Sequence, residues 1–139
     1  MSRVAPVFSR LVLLLQGVVL TLIASRILFD PIGAAAKDQI DLGSALAIVV
    51  AQIGFGAFPL AAALFVVFCA FSVPRLRTGL AFVLIFDLTA LIVRALGVLR
   101  EGGFADNRGP FIGEALFAVL AIGASVWMSR ASRPRVPAN

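Results

Sequence analysis

Four long apolar stretches, separated by short polar segments, dominate this chain and constrain it more than any motif does. They cover about residues 11–29, 44–71, 78–99 and 110–128. A helix rises 1.5 Å per residue and the hydrocarbon core of a bilayer is about 30 Å thick, so about 20 apolar residues suffice to cross it. Each stretch is close to that length. No charged side chain occurs between Leu42 and Pro74, too long an interval for an ordinary buried helix of a water-soluble protein. Of the 139 residues, 61% are hydrophobic and 14% charged, against about a quarter charged in soluble domains. The mean hydropathy of +1.07 agrees with this reading. The fold class expected is an all-α integral membrane protein, an antiparallel bundle of four transmembrane helices.

The net charge of +5 does not point to nucleic acid, because of where the basic residues fall. Arg3 and Arg10 precede the first stretch, Arg75 and Arg77 lie between the second and third, and Arg130, Arg133 and Arg135 follow the fourth. With four crossings these seven share one side, and Lys37, Arg100 and Arg108 take the other. Lys and Arg concentrate in cytoplasmic loops, so both termini are expected in the cytoplasm of a bacterial cell, with the protein multi-pass in the inner membrane. The basic residues then act as topology signals and contact membrane lipids. No basic patch interleaved with aromatic residues is present to grip a single strand, and no nucleic-acid partner is expected.

Other boundaries follow the same logic. Residues 1–10 read as a cytoplasmic N-terminus, 11–129 as the membrane domain, and 130–139, with Pro134 and Pro137, as a disordered cytoplasmic tail. The first stretch is longer than a signal-peptide core, and Leu22-Ile23-Ala24-Ser25-Arg26 lacks the small-x-small pattern of a cleavage site, so it reads as a span. Asp30-Pro31 suits the start of a short helix on the outer surface after the first span. Residues 101–109 read as the most flexible outer stretch. Pro59 removes one backbone hydrogen bond inside the second span, frees the Phe55 carbonyl and predicts a kink. Gly54, Gly56, Ala57 and Ala61–Ala63, and the stripe Glu114, Ala118, Ala121 and Ser125, allow close helix contacts within a bundle or a homo-oligomer.

The few polar residues inside the spans are the candidate site. Arg26, Arg94 and Glu114 lie about 5, 8 and 5 Å below the outer ends of the first, third and fourth spans. Together with Asp30 and Gln52 they read as one polar cluster. It either locks the helices by ion pairing or receives a polar headgroup, and separate snorkelling of each charge to the interface is the third possibility. Asp87 is about 18 Å deep, near mid-membrane, with Gln16 of the first span at similar depth. At that depth a carboxyl costs least as the neutral acid, holding helices together by hydrogen bonds, or it serves proton coupling. Cys69 is the only cysteine, which rules out an intrachain disulfide and makes it an apolar filler. The absence of histidine removes imidazole catalysis and histidine metal sites, so no metal or cofactor is expected. Asp87 lacks a second acid at its depth, and no phosphate loop, Cys–His pair or Ser–Lys dyad appears, so an enzyme is not expected.

Phe29-Asp30-Pro31 with its alanine-rich continuation, Phe55-Gly56-Ala57-Phe58, and Arg94-Ala95-Leu96-Gly97 followed by Gly102-Gly103 resemble a bacterial four-span family, domain of unknown function 4345. The resemblance covers about residues 10–130. It implies a four-helix protein of the inner membrane and supplies no activity. In that family an acid–arginine pair often precedes the glycine-rich segment of the second span, where this chain has Val50 and Gln52. The functional expectation is a small accessory protein of a larger membrane complex, or a binder of a lipid-like molecule. The alternative is a small proton-coupled transporter of the multidrug type using Asp87.

Overall fold

The computed structural model describes residues 4–131, all-helical with no strand among them. In chain order they form α1 (Val4–Phe29), α2 (Pro31–Lys37), α3 (Ala45–Ala51), a π-turn (Gln52–Ala57), α4 (Phe58–Ala70), a 3-10 turn (Val73–Arg75), α5 (Leu76–Glu101) and α6 (Phe104–Ala131). Four helical segments are long and apolar enough to cross a membrane: Val4–Phe29, Ala45–Ala70, Val73–Glu101 and Asn107–Ala131. Large apolar side chains stand exposed along them, such as Leu22 (60%), Ile85 (68%) and Val119 (65%). Water would penalise that surface heavily, whereas acyl chains match it. Arg3, Arg133, Arg135 and the proline-bearing tail lie outside the described residues.

The chain divides into two compact units, one of residues 14–68 and the other of residues up to 13 and from 69 onward. In the first, the later part of α1 packs on the second span. A Cβ on Gly17 would sit 2.6 Å from Val67 Cγ2, and one on Gly56 would sit 2.7 Å from Leu28 Cδ2. Position 17 thus meets 67 while 28 meets 56, so the two helices run in opposite directions. Two glycines remove the side chains that would hold the backbones apart. The second span is not simply kinked at Pro59. It widens into the π-turn just before that proline, with the Phe58 N–H donating to the Ile53 carbonyl, five residues back. A proline ring crowds the carbonyl four residues earlier, here that of Phe55, and the wider turn eases the crowding. Asp30 caps α2 by accepting from the Gly33 N–H at 3.0 Å, with Pro31 at the first helical position. Ser44 caps α3 by accepting from Ala47 N–H at 3.1 Å.

In the second unit α5 and α6 form a hairpin. Leu76, Leu80, Val83 and Asp87 are buried along one stripe of α5, spaced for one helical face. Ala118, Ala121, Ala124 and Met128 are buried on α6. The start of α1 joins them: Phe8 and Trp127 rings lie 5.6 Å apart, and a Cβ on Gly79 would meet Cys69 Cβ at 2.7 Å and Leu13 Cδ1 at 2.8 Å. Gly54 takes no part in such packing, since a Cβ there would meet nothing within 4 Å.

Three boundaries differ from the sequence reading. Residues 4–10, expected ahead of the first span, are already helical, with Pro6 tolerated in the first turn. Residues 101–109 are not a flexible loop: α5 runs to Glu101 and α6 starts at Phe104, with Pro110 inside it. Two glycines suffice to reverse the chain because both adopt the left-handed region, Gly102 at φ 80° and Gly103 at φ 77°. The helix of the third apolar stretch likewise begins earlier than residue 78, at Leu76, preceded by the 3-10 turn at Val73–Arg75.

Candidate functional site

Asp87 and Arg94 are seven residues apart, two turns, and so continue the buried stripe of α5 toward the hairpin turn. Where α6 comes alongside, Arg94 meets Glu114. Its Nε donates to Glu114 Oε1 at 3.2 Å and Oε2 at 3.0 Å, and its Nη2 donates to Oε1 at 2.6 Å. This forked ion pair is part-buried, with side-chain exposures of 28% and 19%. Nη1 donates to Asn107 Oδ1 at 3.0 Å, and Asn107 Nδ2 donates back to the Gly103 carbonyl at 3.0 Å. One guanidinium therefore binds α6 at two points and, through Asn107, reaches the turn itself. A charge-assisted fork of this kind fixes geometry as well as charge.

Asn107 was not singled out from the sequence, although a signal existed. It precedes Glu114 by seven residues, placing both on one helical face, and follows Gly103 by four, the spacing of a side-chain bond back to a carbonyl.

Beside the clamp lies an open groove of about 420 Å³. Ala90, Val93, Gly97 and Val98 form its apolar wall, and Arg94, Asn107 and Glu101 its polar end. Gly97 leaves room, since a Cβ there would meet nothing within 4 Å. These bonds engage one N–H on each of Nη1 and Nη2, and among the described residues the second on each remains for an acceptor. An apolar trough ending in paired polar groups suits an amphipathic molecule.

Arg26 and Asp30 are exposed and belong to the unit of residues 14–68, where the Asp30 carboxylate caps α2. In that unit Gln52, at the start of the π-turn, donates through Nε2 to the Leu28 carbonyl at 3.3 Å, tying the second span to the end of α1. Asp87 and Gln16 are both buried, at 2% and 3% exposure. Among the described residues no group of three or more His, Cys, Asp or Glu is placed to hold a metal ion. Compared with known proteins, the chain matches no protein-family model, no curated protein and no solved structure.

Proposed function

We propose that this chain is a multi-pass protein of a bacterial inner membrane, an antiparallel four-helix bundle with both termini cytoplasmic and α2 on the outer surface. Its role is non-catalytic: it binds a lipid-like molecule in the groove of α5 and α6, serving as a small accessory protein, alone, as a homo-oligomer or within a larger membrane complex. The observation that carries the binding role is the groove, with its apolar wall and the Arg94–Asn107 polar end. The clamp has two tasks, since the same guanidinium that locks the hairpin offers its remaining N–H groups to a ligand.

The test is copurification in mild detergent with mass spectrometry of bound small molecules and proteins, comparing wild type with Gly97→Leu. The open space at Gly97 accepts a side chain without disturbing the hairpin. The added methylenes occupy the ligand's place, and at ~0.8 kcal/mol per buried CH₂ the bound molecule should fall about tenfold. An unchanged molecule in the variant, or neither a bound molecule nor a stoichiometric partner in the wild type, refutes the reading.

A second reading, proton-coupled transport, is favoured by one observation, the burial of Asp87 on the stripe that leads to Arg94. It requires proton-coupled flux in liposomes that Asp87→Asn abolishes while folding normally. Such flux would replace the binding role.

A further inference from the structure

At the other end of the second unit, basic residues gather. Arg10 on α1, Arg75 and Arg77 around the 3-10 turn, and Arg130 in the last turn of α6 are its described cations. No Asp or Glu occurs in residues 4–29, 69–86 or 115–131. Along α6 the nearest acid to Arg130 is Glu114, about 24 Å before it.

Packing brings these segments to one level. The Phe8–Trp127 ring contact joins the start of α1 to the end of α6. Arg10 lies about 3 Å along the axis from Phe8, and Arg130 about 4.5 Å from Trp127. Leu13, one turn after Arg10, packs against Gly79 of α5, two residues after Arg77. The Arg10 Nε is buried and has no hydrogen-bond partner among the described residues. A buried guanidinium N–H without an acceptor is costly, so the protein surface is incomplete there.

We propose that this end is a headgroup site for an anionic phospholipid, in which Arg10 takes the lipid phosphate and Arg130 adds to the local positive field. It is separate from the groove and independent of the role proposed there. Three features select a lipid over a soluble acidic partner. The neighbours of Arg10 along α1, Val7 (51% exposed) and Leu11 (59%), present apolar surface that suits acyl chains and gives a hydrophilic segment no seat. Trp127 is 40% exposed beside Phe8, the arrangement of an indole at the headgroup level of a membrane. The planar guanidinium fork matches phosphate geometry, with the long side chain reaching up from the apolar level.

Trp127 is the only tryptophan of the chain, so its fluorescence reports on this end alone. The experiment reconstitutes the full chain in phosphatidylcholine–phosphatidylglycerol vesicles, with either lipid brominated on its acyl chains near the headgroup. Brominated phosphatidylglycerol should quench Trp127 more than brominated phosphatidylcholine at equal mole fraction. Raising the salt should narrow the difference. Arg10→Gln should lower the preference about fivefold, the effect of one basic residue near an anionic surface. Arg10→Lys should retain most of it, and Arg100→Gln, at the opposite end of α5, all of it. Inorganic phosphate in millimolar excess should leave the preference intact, because acyl chains hold the headgroup at the surface. Equal quenching by the two lipids in the wild type overturns the proposal, and that result needs no variant to fold. Undiminished preference in Arg10→Gln, or abolition by free phosphate, also overturns it.

Discussion

At the residue scale, Arg94 ties the two helices of the hairpin together, because its guanidinium reaches both Glu114 and Asn107. Removing one partner leaves the other charge in a poorly solvated place, so each single change should cost more than the pair contributes. We expect Arg94→Gln and Glu114→Gln each to lower stability in detergent, and the double variant to lose less than the sum. The coupling should be about 1–2 kcal/mol, above the ~0.6 kcal/mol average of polar contacts between membrane helices, because the pair is forked and charged. Additive losses in that cycle would remove Arg94–Glu114 as a unit. The pairing of Arg94 with Glu114 was legible in the sequence, since counting residues from the ends of the apolar stretches puts them at nearly equal levels. Asn107 was not, because it stands in a glycine-rich segment whose composition resembles a loop. Its value emerges only once Gly102 and Gly103 turn the chain and bring it over Arg94.

At the scale of the elements, the spans were legible because apolar length alone decides them, while their ends and internal defects depend on neighbours. Pro59 announced a defect in the second span, but its form as a π-turn belongs to a setting in which Gly56 accepts Leu28 and Gln52 reaches the Leu28 carbonyl. Composition alone does not separate the packing glycines, since a Cβ on Gly54 would meet nothing within 4 Å while one on Gly17, Gly56 or Gly79 would meet a neighbour. The same distinction predicts opposite effects from one chemical change. Gly79→Ala puts a methyl 2.7 Å from Cys69 Cβ and should destabilise by about 1–3 kcal/mol. Gly123→Ala, with nothing within 4 Å, should be neutral or stabilising by up to ~1 kcal/mol through helix propensity. Thermal unfolding of the two variants in detergent checks the contrast, and equal effects would refute it.

At the scale of the whole molecule, the distribution of Lys and Arg predicts the threading. In a Cys69→Ala background, single cysteines replacing Lys37 and Ala105 should react with a membrane-impermeant reagent in intact spheroplasts, and a reporter after residue 139 should be active only in the cytoplasm. Protection of both cysteines would reverse the orientation. The contact of Phe8 with Trp127 also has a consequence in time. At about 5–20 residues per second, the roughly 120 residues between them take about 6–24 s to synthesise. For most of that interval the first helix has been made but the aromatic partner of its opening turns does not yet exist. A bilayer or an insertion factor must shelter Phe8 meanwhile, so assembly closes only when the last helix arrives, and a ribosome that stalls before Trp127 leaves the first helix without its final neighbour.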